Sequence, residues 1–144
     1  GNCWLAAAGA EVLNIIGKKS PMWEEIYEIY KRHIWGVLKF QDNSGGWHTV
    51  IDRADTYIEM SATAAFAFSV MRAVNSGLLD EKYRSAAEKA YSAVTADIKD
   101  GAVIHGSMGT CVMEDYRAYN DVKFGYTYFT QGLALMLFEE KQPL

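Results

Sequence analysis

Residues Met60 to Val74 read MSATAAFAFSVMRAV, a run that is apolar on almost every side of a helical projection and rich in small side chains. A helix of this kind has no wet face, so neighbours must cover it on most sides. Gly77 supplies a stop signal after it. Next, Asp80 caps a helix of the other kind. Tyr83, Ala86, Ala87, Ala90, Tyr91 and Val94 form one stripe, and Glu81, Lys82, Arg84, Glu88 and Lys89 form a polar face.

The same pair precedes it. Trp4 to Ile16, WLAAAGAEVLNII, is apolar nearly all round and is stopped by Gly17. Ser20-Pro21 then offers an N-cap and a proline at the first helical position, with Glu24 and Glu25 placed to favour the dipole. Trp23, Ile26, Tyr27, Tyr30, Ile34, Val37 and Leu38 follow at helical spacing, opposite Glu24, Glu28, Lys31, Arg32 and Lys39. A last buried helix spans Tyr128 to Phe138. The order is buried, amphipathic, buried, amphipathic, buried. Short links lead out of the buried helices, and long loops, Asp42 to Glu59 and Lys99 to Thr127, lead back to them. The expectation is an all-α toroid segment of about five helices, with inner helices ringed by outer ones. A plain four-helix bundle would make every helix amphipathic. Both long loops should emerge on one rim, at the N-terminal ends of the inner helices, where backbone N–H groups favour anions.

Composition sets the outer limits. The chain has 144 residues, half of them hydrophobic and 13% aromatic, which suits one domain with a real core. A net charge of −4 leaves no basic stripe for a nucleic acid. Apolar stretches are broken before they could span a bilayer, and no signal peptide opens the chain, so neither membrane nor nucleic acid is an expected partner and a cytoplasmic location is expected. Cys3 and Cys111 lie in no metal spacing and read as reduced thiols; His33, His48 and His105 are too scattered for zinc. Neither metal nor cofactor is expected. The opening Gly1-Asn2-Cys3-Trp4, without an initiator Met, reads as a fragment, a processed product or a truncation.

The first long loop reads GGWHTVIDRADTYIEMS over Gly45 to Ser61. Its glycines suit a turn and Trp47 suits a core; equally, aromatic and carboxylate side chains crowded above a barrel suit a carbohydrate. The second contains GAVIHGSMGTC over Gly101 to Cys111. No βαβ pattern surrounds these glycines, so they are not a dinucleotide fingerprint; a short hairpin or extended segment fits better. His105 reads equally as a structural or a functional histidine.

The run GWHTVIDRADTYIEMSATAAFAF, Gly46 to Phe68, resembles the G-x-W-x-x-V-x-D and D-[ST]-Y-x-E-x-S segment of glycoside hydrolase families 88 and 105. Gly1 to Trp4 is similar to their R-G-N-x-W motif without its arginine; Gly106 to Thr110 resembles their late loop, and Gln131 to Glu139 their last inner helix. The resemblance implies an (α/α)6 barrel, of which residues 1–144 would be one domain, the C-terminal part without the N-terminal hairpins. It also implies the hydration of the C4=C5 bond of a terminal unsaturated uronic acid by an aspartate acting as general acid and then base. That aspartate would precede Gly1, so no catalytic residue is expected within the chain. Substrate-binding candidates are Trp4, Trp47, His48, Glu59 and Thr110. The expected partner is an unsaturated uronic-acid oligosaccharide. A different reading makes the chain a non-catalytic remnant that binds sugar weakly or pairs with itself, a homodimer covering the open side of the barrel. A third is another helical-toroid enzyme, such as a sugar epimerase or a terpene cyclase; no aspartate-rich metal motif supports the cyclase.

Overall fold

A computed structural model describes residues 1–141. Five α-helices dominate it: α1 (Asn2–Ile16), α2 (Trp23–Leu38), α3 (Met60–Asn75), α4 (Arg84–Ala96) and α5 (Tyr128–Lys141). A two-residue antiparallel hairpin, β1 (Ile98–Lys99) and β2 (Ala102–Val103), follows α4, and 3-10 turns cover Glu81–Tyr83 and Tyr116–Asp121. α1, α3 and α5 stand side by side with α3 in the middle; α2 backs α1, and α4 backs α3 and touches α5. This is the expected alternation of inner and outer helices, laid out as an open arc.

The middle position explains the composition of α3. Every residue from Thr63 to Val74 except Arg72 is buried, because helices cover it on three sides. Ser61, Thr63 and Ser69 survive burial by hydrogen-bonding, Ser61 to the Glu59 carboxylate and the other two to backbone carbonyls. Ser69 Oγ donates to the Ala6 carbonyl of α1 at 2.7 Å, and Tyr30 of α2 directs its hydroxyl at Ser69, 3.0 Å from the carbonyl and 2.9 Å from Oγ. Burial holds the Tyr30 phenol well above its ordinary pKa. In the last turn of α3, Arg72 lies 3.0 Å from Glu11 of α1 and 2.9 Å from Glu140 of α5. The Glu140 contact is a hydrogen bond. The Glu11 contact is a misaligned ion pair, in which Nε has no hydrogen-bond partner.

Two expectations need correction. Ser20 and Pro21 do not open α2. They form a preceding turn, in which Met22 N donates to Ser20 Oγ at 3.3 Å and Trp23 N to the Ser20 carbonyl at 3.1 Å, and the helix begins at Trp23. α1 and α5 are apolar all round, yet each buries only the stripe facing its neighbours. Ile15 is 78% exposed and Leu135 67%, so the outward flanks of the arc are apolar and open. The small hairpin turns at Gly101, where a short hairpin or extended segment was expected, and the architecture is the all-α one. His33, on α2, has both ring nitrogens buried and unpartnered, and burial lowers its pKa, which keeps it neutral.

Candidate functional site

The first long loop is fastened by Trp47. Its side chain is 0% exposed, tilts against Phe66 at 5.0 Å and donates Nε1–H to the Val37 carbonyl at 2.9 Å. Its backbone N–H donates to Thr63 Oγ1 at 3.1 Å. The indole is thus a core side chain that pins the loop to α2 and α3. The turn before it needs glycine. Gly45 has φ +94°, and a Cβ there would meet the Lys89 carbonyl oxygen at 2.5 Å.

Glu59 ends this loop and caps α3. Its Oε1 accepts from Ser61 N at 3.1 Å and Ser107 N at 2.8 Å; Oε2 accepts from Ser61 Oγ at 2.7 Å and Ala62 N at 2.6 Å. The residue is 5% exposed. Four donors fill its carboxylate, so the group closes a helix end and ties the second long loop to the first. Met60 N adds a backbone link by donating to the His105 carbonyl at 3.1 Å.

The second loop is held by side chains on either side. Gln131 of α5 brackets Val103, accepting from its N–H at 3.0 Å and donating to its carbonyl at 2.9 Å. Asp97, at the end of α4, accepts from Ile104 N at 3.0 Å, His105 N at 2.8 Å and the His105 Nδ1–H. His105 is thus a hydrogen-bonded structural histidine.

Between the two loops, above the N-terminal ends of α1, α3 and α5, lies a cavity of about 390 Å³. Both loops and all three inner helices contribute to it, so the shared rim expected from the alternation is present. Aromatic rings come from Trp4, Tyr57, Tyr119 and Phe129, and hydroxyls from Thr49, Ser61, Ser107 and Thr110. Trp4 is 52% exposed, with Phe129 tilted against it at 6.1 Å. Among the described lining residues Glu59 is the one carboxylate, and there is no lysine, arginine or histidine. Cys3 and Cys111 both line it; burial raises the Cys3 thiol pKa. Such a lining can stack on and hydrogen-bond a neutral polar ligand. It offers no carboxylate free to move a proton. Among the described residues no cluster of three metal-ligating side chains occurs.

Of the five expected residues, the cavity gathers Trp4, Glu59 and Thr110 and leaves Trp47 in the core. His48 faces a separate, smaller cavity of about 80 Å³ beside Gly1, Asn2 and Cys3. Its Nδ1–H donates to the Thr56 carbonyl at 2.5 Å, and Nε2 lies 3.7 Å from Asp42. Tyr57, Tyr119 and Phe129 were not singled out. Tyr57 stood inside the quoted motif, and Phe129 stood in the first turn of an inner helix, the turn that must face the rim.

An arc of helical hairpins carrying an aromatic, hydroxyl-lined cavity on its rim defines a segment of a helical toroid. The chain belongs to Glycosyl Hydrolase Family 88, whose family model matches residues 1–143. It is 34% identical over 136 residues to the unsaturated rhamnogalacturonyl hydrolase YesR of Bacillus subtilis, across 93% of this chain and 38% of that protein. It is 30% identical over 104 residues to the unsaturated 3S-rhamnoglycuronyl hydrolase of an Alteromonas species, across 69% of this chain and 25% of that protein. Among solved structures, a "possible member of GH105 family" from Salmonella enterica superposes with a TM-score of 0.89 at 27% identity, over 96% of this chain and 37% of that one. The unsaturated glucuronyl hydrolase of Bacillus sp. GL1 shares the fold, with a TM-score of 0.68 at 18% identity over 98% of this chain and 38% of that one. The two solved structures are (α/α)6 toroids, and the chain spans less than two fifths of the length of each relative named.

Proposed function

We propose that this chain supplies the carbohydrate-binding rim of an unsaturated glycuronyl hydrolase, acting on an oligosaccharide that ends in an unsaturated uronic acid. The observation that carries the reading is the cavity itself, where Trp4 and Phe129 offer ring faces for sugar C–H surfaces and Thr49, Thr110 and Ser107 stand at hydrogen-bonding positions. The reaction is hydration of the C4=C5 bond. A proton goes to one carbon and water to the other, and the resulting hemiketal collapses to release the attached sugar. That step needs a carboxyl group free to give and take a proton. Glu59 is saturated by four donors and cannot serve, so the acid/base is assigned to a residue outside these 144, and the chain alone binds without turning over.

The test uses the chain alone and a longer polypeptide that includes it. With unsaturated rhamnogalacturonan and glycosaminoglycan disaccharides, the longer polypeptide should bleach the ultraviolet absorbance of the double bond. The chain alone should bind without bleaching, and Trp4→Ala should weaken binding by up to roughly tenfold, the value of one lost aromatic contact of about 0.5–1.5 kcal/mol. Undiminished absorbance across the panel with the longer polypeptide would remove the reading.

A second reading rests on the open flanks of α1 and α5. Exposed apolar helix sides favour a covering partner, and two copies of this chain would supply six inner helices between them. In that reading the chain is a self-associating, weakly sugar-binding module.

A further inference from the structure

Residues 106–125 of the second long loop leave the body and return to it at nearly the same place. Ser107 and Phe124 form an antiparallel bridge, Met108 N donates to the Lys123 carbonyl at 2.8 Å, and Gly125 N donates to the Gly106 carbonyl at 3.1 Å. The segment is therefore an Ω-shaped loop with a closed neck. The neck is rigidly seated. Ser107 N is held by Glu59, and Gly106 lies so close against Thr130 that no Cβ would fit.

The tip is built differently. None of Tyr116–Asp121 is buried, and Val112 is almost fully exposed, so apolar burial contributes little to holding it. What attaches it to the first long loop is a small polar group. Asn120 Oδ1 accepts from Tyr57 N at 3.2 Å, and Asn120 Nδ2 donates to the Asp55 carbonyl at 3.3 Å, copying with one side chain the paired bonds of a neighbouring strand. Tyr116 OH donates to Asp55 Oδ2 at 3.1 Å, and the Arg53 guanidinium sits 5.0 Å above the Tyr116 ring. Few buried apolar contacts and exposed polar bonds are the marks of a segment that opens locally at low cost. The same tip carries Thr110, Cys111, Val112 and Tyr119, which make one wall of the large cavity.

We infer that residues 109–122 are a strap that opens and closes over the cavity on its bridged neck, and that Asn120 is the latch holding it shut. Asn120 is a positioning residue. It does not line the cavity, and it acts by keeping the Thr110–Tyr119 wall in place whatever ligand the cavity takes. Its amide alone combines the donor and the acceptor that the Asp55–Tyr57 backbone requires. Opening uncovers Cys3 and Glu59 and widens the approach of a chain end to Trp4, which is already half-exposed; closing completes the wall around it.

Hydrogen exchange followed by mass spectrometry on the whole chain tests this without any ligand, so the outcome is independent of the glycosidase reading. In Asn120→Ala, amides of residues 109–122 and of Tyr57 should exchange about tenfold faster, as expected for two lost hydrogen bonds. The amides of Met108 and Gly125 and those of α3 should keep their protection. Asn120→Asp, which can still accept from Tyr57 N but cannot donate to the Asp55 carbonyl, should fall between the two. Tyr116→Phe should give a smaller acceleration confined to the same segment. Unchanged exchange at 109–122 in Asn120→Ala would overturn the latch. So would a uniform acceleration that includes α3 and the neck, since that describes a general structural residue.

Discussion

Glu59 was a binding candidate by its place in the matched motif, a match that suits a residue holding the loops as well as one meeting a ligand. The folded chain spends both oxygens on its own backbone and on Ser61. Replacing Glu59 with Gln leaves one acceptor oxygen and sets an NH2 group against N–H donors. The expected cost is about 1–3 kcal/mol of stability, the range for leaving buried donors unsatisfied. Urea denaturation measures it; unchanged stability together with weakened sugar binding would return Glu59 to the ligand. Trp4 was legible as a site candidate because Gly1 to Trp4 resembles the R-G-N-x-W motif, and it lines the cavity. Phe129 was not, since its apolar neighbours in α5 make it look like one more core position.

At the scale of elements, the long loops were located correctly and their fastening was not foreseeable. A tryptophan in a loop can cover a ligand or plug a gap between helices, and sequence spacing carries no information on which. The gap lies between the last turn of α2, where the Val37 carbonyl also accepts from Phe40 N, and the first turn of α3, where Thr63 presents its hydroxyl, and Trp47 bonds to both. Trp47→Phe keeps most of the apolar volume and removes the Nε1–H bond, so it should cost about 1–2 kcal/mol. Trp47→Ala should cost about 3–5 kcal/mol, the range for deleting a large buried aromatic. Thermal unfolding separates this from a ligand-wall role. If either variant keeps the parent stability while losing sugar binding, the indole belongs to the cavity after all. The turn chemistry was similarly half visible. Gly45-Gly46 marks a turn, whereas Ser20-Pro21, with the same kind of signal, forms a turn ahead of α2 because its bonds are taken by Met22 and Trp23.

For the molecule as a whole, the alternation of fully apolar and amphipathic helices was enough to set the order inner, outer, inner, outer, inner. It said nothing about how many inner helices are covered. Apolarity all round a helix reports the neighbours its sequence is suited to meet, and only α3 meets them on both sides here. Ile15 on α1 and Leu135 on α5 each leave most of a large side chain in water, forgoing roughly 1–2 kcal/mol apiece compared with burial. Flanks of this kind should draw the chains together or bind an apolar dye. At micromolar concentration, light scattering should therefore show a species larger than the 16.1 kDa monomer. Ile15→Lys combined with Leu135→Lys should restore the monomer without loss of helical circular dichroism, because both positions lie outside the buried stripes. A parent chain that stays monomeric and binds no dye would mean that the flanks are tolerated in water, and the self-associating reading would go with them. An oligomer that survives both lysines would place the contact elsewhere, with the exposed Met22, Ile29 and Trp35 of the α2 region as the next surface to alter.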